Sequence, residues 1–309
     1  MRFAKRIFLF LAINFLVVLT ISALLNIFHV QPFLNAHGID YRSLLIFCLL
    51  WGMGGALISL SLSRVMAKWM MGVHLIDTNT HDSSERLLIA TIEKLAQQSG
   101  LPMPQVGIYE SPEVNAFATG PSKKRALVAV SRGLLNRMAP DELEGVLAHE
   151  LSHIANGDMV TMTLIQGIVN AFVMFLARIL AFVVSGMGKN RQSSSSSSGG
   201  SYVTYIMMVY LFEIVFMILG SILIAWFSRQ REYRADKGGA RLSGKEKMIA
   251  ALQSLKAVQE RRDQKAEKPA FQTMKISTPG KSGFLLLFST HPPLERRIER
   301  LQRLNTTLE

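Results

Sequence analysis

Cysteine and charged residues are scarce in this 309-residue chain. It contains a single cysteine, Cys48, and only 18% of its residues are charged, whereas soluble domains average roughly a quarter. One cysteine excludes a disulfide framework and a zinc site made of cysteines alone. Hydrophobic residues make up 49% of the chain, which excludes an intrinsically disordered protein. The position of these apolar residues therefore decides the fold class.

The apolar residues are concentrated in four long stretches. A helix needs about 20 consecutive apolar residues to cross a bilayer, and each stretch is about that long. The sequence therefore predicts four transmembrane helices, at residues 7–30, 44–62, 159–187 and 202–227. The first stretch follows basic residues, as in a signal peptide, but it is longer than a signal-peptide core and predicts a retained anchor.

Positive charge flanks the predicted spans unevenly. Lys and Arg cluster before the first span, after the second and after the fourth, and such residues tend to stay in the cytoplasm. The pattern predicts that both chain ends face the cytoplasm. It divides the chain into two N-terminal spans (1–62), a first cytoplasmic half (63–158), a transmembrane hairpin with a serine-rich loop (159–227) and a second cytoplasmic half (228–309).

The net charge of +12 raises the question of nucleic-acid binding. Residues 228–309 contain 18 Lys and Arg against 9 Asp and Glu, so +9 of this charge follows the last span. Cations in that position interact with anionic lipid headgroups and fix topology. The chain has no nucleic-acid recognition motif. We therefore expect a lipid bilayer, and no nucleic acid, among its partners.

Two charged residues interrupt the last two spans. Arg178 and Glu213 lie at similar depth when residues are counted from the cytoplasmic ends of their helices. A charge inside a membrane is costly unless it is paired or faces a polar interior. We hypothesise that the two residues pair across the hairpin; the alternative is that one or both lie in a partly wet groove or at the outer interface.

The cytoplasmic halves have mixed helix and strand patterns. Residues 82–98 predict an amphipathic helix, residues 105–109 and 126–130 predict short strands with a turn at 111–113, and a helix is predicted from Pro140 to a stop at Gly157. The second half is predicted to be mostly helical, with a solvated loop or helix end at 260–268. Because both halves face one compartment, we expect them to fold together as one α+β domain with a small sheet.

The segment His149-Glu150-Leu151-Ser152-His153 carries the chemistry. Residues at i and i+4 share one helix face, so both imidazoles can reach one metal ion, and Glu150 projects close enough to polarise a metal-bound water. Imidazole suits zinc, and a catalytic zinc keeps three protein ligands and one open position. The alternative is a polar surface helix whose histidines bind nothing.

A third ligand is expected shortly after the fourth span. Glu232 is the best candidate, because the predicted hairpin returns the chain to the same membrane face. Asp236 follows one helical turn later and could accept the free ring N–H of a metal-bound histidine. The alternative is a surface helix in which these carboxylates pair with Arg229 or Arg234.

Together these motifs resemble the HtpX family of membrane zinc metalloproteases, which are of the gluzincin type and related to the CAAX prenyl endopeptidases. The likeness covers nearly the whole chain and includes residues 115–120, 154–158 and 290–293. It implies a mainly α membrane protein with a cytoplasmic zincin-like protease domain. It also implies one Zn²⁺ per subunit, held by His149, His153 and Glu232, with Glu150 as general base and Asp236 orienting a ligand.

The family pattern implies two further roles. Residues 114–118 would form an exposed edge strand, in which Asn115, Ala116 and Phe117 bind substrate through main-chain hydrogen bonds; the alternative is an ordinary buried strand around Phe117. His291 would approach the metal and stabilise the tetrahedral oxyanion; the alternative is a histidine that caps the following helix.

The resemblance implies a membrane-anchored zinc endopeptidase for protein quality control. Its substrates would be misfolded or damaged membrane proteins and unfolded polypeptides, cleaved by glutamate-assisted attack of zinc-bound water. The protein would be a multi-pass protein of the bacterial inner membrane with its site facing the cytoplasm. A non-catalytic metal-binding scaffold and a prenyl-peptide endopeptidase stay open as alternatives, and the sequence leaves the oligomeric state open.

Overall fold

The structure, a computed structural model, describes residues 40–77, 79–187, 198–266 and 285–304. It divides into two compact units. We call Met1–Ile58 with Thr163–Ser221 the helical unit, and Ser59–Met162 with Ile222–Glu309 the mixed unit. The predicted first span, at residues 7–30, lies outside the described residues.

The elements follow one another in the order of the chain. They are α1 (Tyr41–Met71), β1 (His74–Leu75), α2 (Ser83–Gln98), β2 (Gln105–Tyr109), β3 (Ala116–Ser122), β4 (Arg125–Ser131), α3 (Arg132–Arg137), α4 (Pro140–Asn156), α5 (Asp158–Met187), α6 (Ser198–Ser243), α7 (Lys245–Ala266), a 3₁₀ turn (Leu285–Phe288) and α8 (Leu294–Gln302).

Three of the described helices are long and apolar enough to cross a membrane. They are α1, the Asp158–Ser185 part of α5 and the Val203–Ser243 part of α6, and they correspond to the second, third and fourth predicted spans. The described residues thus hold three candidate spans rather than the four expected. Both α1 and α6 continue well beyond the predicted apolar stretches, because a change from apolar to polar side chains does not by itself end a helix.

The helical unit has its own apolar core, in which Phe175 and Cys48 are fully buried. Gly52 of α1 lies against α5: a Cβ at this position would be 2.7 Å from the backbone nitrogen of Ala171. Small residues permit such close helix packing in membranes. The lone cysteine is therefore a packing residue of this core.

Arg178 and Glu213 pair within the helical unit. Arg178 Nη1 lies 2.8 Å from Glu213 Oε1, and the side chains are 24% and 22% exposed. The Arg178 guanidinium also donates to the carbonyl of Met174, 2.9 Å away. The hypothesis of a pair across the hairpin is thus confirmed.

Reversing one of these charges is expected to destabilise the protein, because it places like charges together in an apolar setting. We expect Arg178→Glu or Glu213→Arg to cost about 3 kcal/mol or more in the free energy of unfolding. The double reversal should recover most of this loss, as measured by thermal unfolding in detergent. A double variant no more stable than either single variant would contradict a stabilising pair.

The mixed unit contains a four-stranded sheet in the order β1-β2-β4-β3. β2 and β4 are parallel, whereas β1 pairs with β2 and β3 with β4 in antiparallel fashion. The predicted strands at 105–109 and 126–130 are confirmed as β2 and β4. The chain bends at Pro112 and Glu113, within the turn predicted at 111–113, and β3 then follows as an edge strand that lies between β2 and β4 in sequence.

Helix α4 has the expected bounds. Pro140 occupies its first turn and the Glu142 carboxylate accepts the Ala139 N–H at 2.9 Å, while Gly157 ends it at φ 67°, a conformation that favours glycine. The buried stripe Leu143, Val146, Leu147, Leu151 and Ile154 packs into the main core with the sheet and α2. This packing fixes the face of α4 that carries the two histidines.

Candidate metal centre

His149 and His153 lie side by side on α4. Their Nε2 atoms are 3.1 Å apart, and both residues are buried. The spacing of four residues brings the rings to the same side of the helix, one turn apart. The expected arrangement of the two imidazoles is therefore present.

Glu232 of α6 completes the cluster. Its Oε2 is 3.4 Å from His149 Nε2 and its Oε1 is 3.4 Å from His153 Nε2. Two glycines of α6 permit this approach: a Cβ on Gly238 would lie 2.7 Å from Ser152 Oγ, and one on Gly239 would lie 3.2 Å from His149 N.

The three side chains fit a divalent cation. One donor atom from each of them lies within 4.8 Å of the others, and the closest pairs are 3.1 to 3.4 Å apart. Ligands at zinc–nitrogen and zinc–oxygen distances in a tetrahedral site are separated by roughly 3.3 Å. Two imidazoles and a carboxylate are also a ligand set of catalytic zinc sites.

Each histidine is oriented by a carboxylate at its other ring nitrogen. His149 Nδ1 is 3.0 Å from Asp236 Oδ1, and His153 Nδ1 is 2.7 Å from Asp158 Oδ2. These contacts leave both Nε2 atoms facing the cluster, as metal-bound histidines require. The position expected for Asp236 is observed, whereas no role had been assigned to Asp158.

Arg297 of α8 holds Asp236 in place. Its Nε and Nη2 donate to the two carboxylate oxygens of Asp236 at 2.8 and 2.6 Å. Arg297 is buried, and a buried bidentate pair of this kind fixes geometry as well as charge. The alternative of a surface helix was wrong, because Glu232 and Asp236 are both buried.

His291 also reaches the cluster. Its Nδ1 lies 3.0 Å from Glu232 Oε2, while its side chain is 63% exposed. The residue before α8 is Pro293, and no side chain caps this helix. The geometry therefore favours a place for His291 at the site over the alternative of a capping histidine.

Glu150 is half-buried beside the two histidines. Within the part of the chain that the structure describes, its carboxylate has no hydrogen-bond or ion-pair partner. Every other carboxylate of the site is already engaged with a histidine or an arginine. Glu150 is thus the one acidic group of the described site with its oxygens uncommitted.

Asn115, Ala116 and Phe117 lie at the start of the edge strand. The backbone of Asn115 pairs with Ser131, and β3 continues antiparallel to β4 from Ala116. Among the described residues no strand pairs with the other side of β3. The Phe117 ring is half-buried and packs on Tyr109, with centroids 5.7 Å apart, so its side chain belongs to the sheet core while its backbone lies at the edge.

Comparison with known proteins assigns the family. The family model described as "Peptidase family M48" matches residues 82–305. The chain belongs to peptidase family M48. It is 46% identical over 303 residues to a "Protease HtpX homolog" of Methylacidiphilum infernorum, covering 97% of this chain and 99% of that protein. It is 48% identical over 298 residues to "Protease HtpX" of Shewanella sp. strain MR-4, covering 96% and 99%.

Solved structures agree on the fold of this M48 peptidase. The crystal structure of S. mikatae Ste24p matches it with a TM-score of 0.54 at 18% identity, covering 91% of this chain and 62% of that chain. With its family and its apolar helices, the chain is a membrane metalloprotease.

The electrostatics of the M48 site favour bound cations. Burial lowers the pKa of His153, but hydrogen bonds to Asp158 and Glu232 outweigh it and raise this pKa to about 9. Burial also lowers the pKa of His149, but hydrogen bonds to Asp236 and Glu232 outweigh this effect and raise the pKa above its usual value. Burial raises the pKa of Glu232, yet its three histidine neighbours hold it well below the usual range. Carboxylates that stabilise protonated imidazoles also stabilise a divalent cation, whose binding releases those protons.

Proposed function

We propose that this protein is a zinc-dependent endopeptidase whose zinc ligands are His149, His153 and Glu232. The observation that carries the proposal is the convergence of three side chains, in which the two Nε2 atoms and the two Glu232 oxygens make contacts of 3.1 to 3.4 Å, with the second nitrogen of each imidazole at a carboxylate. When bound, zinc supplies a Lewis acid that acidifies water and polarises a carbonyl. The side chains around the zinc site transfer the proton and stabilise the oxyanion.

Glu150 serves as the general base. A base must have an oxygen free to accept a proton, and the partners that occupy Asp158, Glu232 and Asp236 leave that task to Glu150. Glu150 takes a proton from the attacking water and delivers it to the leaving amine. Its position next to His149 in sequence keeps it on α4, close to the cluster.

His291 stabilises the negative charge that develops on the carbonyl oxygen. Its exposed ring beside Glu232 supports this role, because a group that contacts both solvent and the site can also contact substrate. Hydrogen-bond donors aimed at such an oxyanion contribute substantially to catalysis.

Replacing His291 by Ala is expected to lower kcat by about 10²-fold or more and to leave bound zinc unchanged. Turnover of an unfolded substrate and zinc content by atomic emission would be measured together. His81, which lies outside the metal cluster on the described chain, provides the matched control His81→Ala. A turnover equal to that of this control would remove His291 from the mechanism.

The edge strand β3 binds substrate in an extended conformation. Its outer backbone groups have no strand partner among the described residues, and main-chain pairing tolerates many sequences. Such tolerance suits the class of misfolded or damaged membrane proteins. The names of the bacterial relatives and the basic residues after the last span support a bacterial inner-membrane protein with its site facing the cytoplasm.

Metal removal and replacement test this function. The full chain in detergent should cleave a model membrane protein, lose this activity on chelation and regain it when stoichiometric Zn²⁺ is added. Tightly bound zinc without any cleavage would favour the metal-binding scaffold. Cleavage confined to prenylated peptides would favour the prenyl-peptide endopeptidase.

A further inference from the structure

Besides the metal centre, the mixed unit has a groove between α6 and α8. It encloses about 420 Å³. It is lined by Trp226 and Phe227, the last residues of the apolar stretch of α6, and by Arg234, Lys237 and Arg300. The groove thus combines aromatic and cationic side chains.

The lining follows from the periodicity of α6. Trp226, Gln230, Tyr233 and Lys237 recur at intervals of three or four residues and so share one helix face. On the opposite side, α8 contributes Arg297, Arg300 and Leu301. The end of the apolar stretch of α6 and the basic sequence that follows it therefore line the same groove.

The three cations are uncompensated in the described structure. Arg234, Lys237 and Arg300 form no ion pair with a carboxylate there. Asp236 is the acidic residue of the lining, and its two oxygens are already bound by Arg297. An anion that enters the groove could therefore pair with these cations without displacing a carboxylate of the described residues.

Two of these cations are positioned by aromatic rings. The Arg300 guanidinium lies 4.3 Å from the centroid of the Tyr233 ring, and the Arg234 guanidinium lies 5.7 Å from that of Phe227. Cation–π contacts hold each guanidinium along a ring and leave its outer N–H groups free to donate. Less side-chain entropy is then lost when an anion binds.

We propose that this groove binds the phosphate-bearing headgroup of an anionic phospholipid. Arginine and lysine are the usual partners of phosphate, and a tryptophan at the end of an apolar span is typical of the headgroup level of a membrane. Trp226 is 53% exposed, so its ring is available to the lipid. A free phosphate ion would contact the cations but would gain nothing from the exposed Trp226 ring, which is why the combination favours a lipid.

Lipid binding to the full-length protein tests the proposal. Purified protein in neutral detergent would be titrated with phosphatidylglycerol and bound lipid counted by native mass spectrometry. The groove variant carries Arg234→Gln, Lys237→Gln and Arg300→Gln. The matched control removes the same charge at exposed residues outside the groove, Lys124→Gln, Arg137→Gln and Arg296→Gln.

We expect wild type and control to bind phosphatidylglycerol alike and the groove variant to bind it at least tenfold more weakly. Phosphatidylcholine should bind weakly to all three, and inorganic phosphate at the lipid concentration should not compete. Equal affinity of groove variant and control would overturn the proposal. Competition by inorganic phosphate as strong as that by lipid would overturn the lipid assignment in favour of a free-anion site.

A single substitution keeps the test decisive if the triple variant fails to fold. Lys237→Gln is compared with Lys124→Gln, both exposed. Loss of one cation near a lipid surface is expected to weaken phosphatidylglycerol binding about fivefold. Equal phosphatidylglycerol binding by the two single variants would refute the groove as the lipid site. Thermal unfolding is measured in parallel as a check on folding, so the result is independent of whether the proposed metal site and catalytic roles hold.

Discussion

Glu150→Gln is expected to retain zinc and to lose nearly all proteolysis. Glutamine keeps the size of the side chain but cannot accept a proton from water at neutral pH. General-base catalysis contributes roughly 10²- to 10⁴-fold to rates, and we expect a loss at the upper end because the other carboxylates of the site are engaged with histidines or Arg297.

The measurement combines single-turnover cleavage of an unfolded substrate with zinc content. Asp141→Asn, at an exposed carboxylate in the first turn of the same helix, is the matched control and should cleave at near wild-type rate. A Glu150→Gln protein that cleaves at the rate of this control would refute the assignment. Loss of zinc along with activity would instead indicate a structural role for Glu150.

Helix α4 was predictable because its determinants are local. A proline in the first turn, acidic residues beside it, an apolar stripe and a terminal glycine all lie within residues 140–157. The placement of His149 and His153 follows directly from the period of that helix. Glu232 was predictable because it lies in a short segment that follows an apolar stretch.

The residues that orient the site were harder to predict. Arg297 reaches Asp236 across 61 residues of sequence, and neither local spacing nor hydropathy links two such positions. Asp158 lies five residues after His153, and Gly157, in a left-handed backbone conformation, separates α4 from α5 between the two residues. One signal was available for Arg297: its spacing of three residues from Leu294 and four from Leu301 places it on the apolar face of α8.

The strands of the sheet also differ in how far the sequence predicts them. Strands β2 and β4 were recognisable as apolar runs, whereas β1 has two residues and too little pattern to detect. Strand β3 contains alanine, glycine and proline, residues that are poor strand formers. It is a strand because β4 pairs with it, which is a tertiary effect.

Glu232→Gln is expected to abolish tight zinc binding, with a loss of affinity larger than the roughly 10- to 100-fold typical of changes to groups that merely orient ligands. The amide keeps the shape of the side chain but removes the negative charge that faces His149, His153 and His291. Two imidazoles alone would then have to hold the ion.

Zinc retention after dialysis against a graded chelator measures this loss, and Glu246→Gln, at an exposed carboxylate of α7, is the control. Because Glu232 is only 1% exposed, thermal unfolding without added metal separates loss of fold from loss of ligand. A folded Glu232→Gln protein that retains stoichiometric zinc would place the third ligand elsewhere. Glu150, as the remaining half-buried carboxylate beside the histidines, would then be the next candidate for the third ligand.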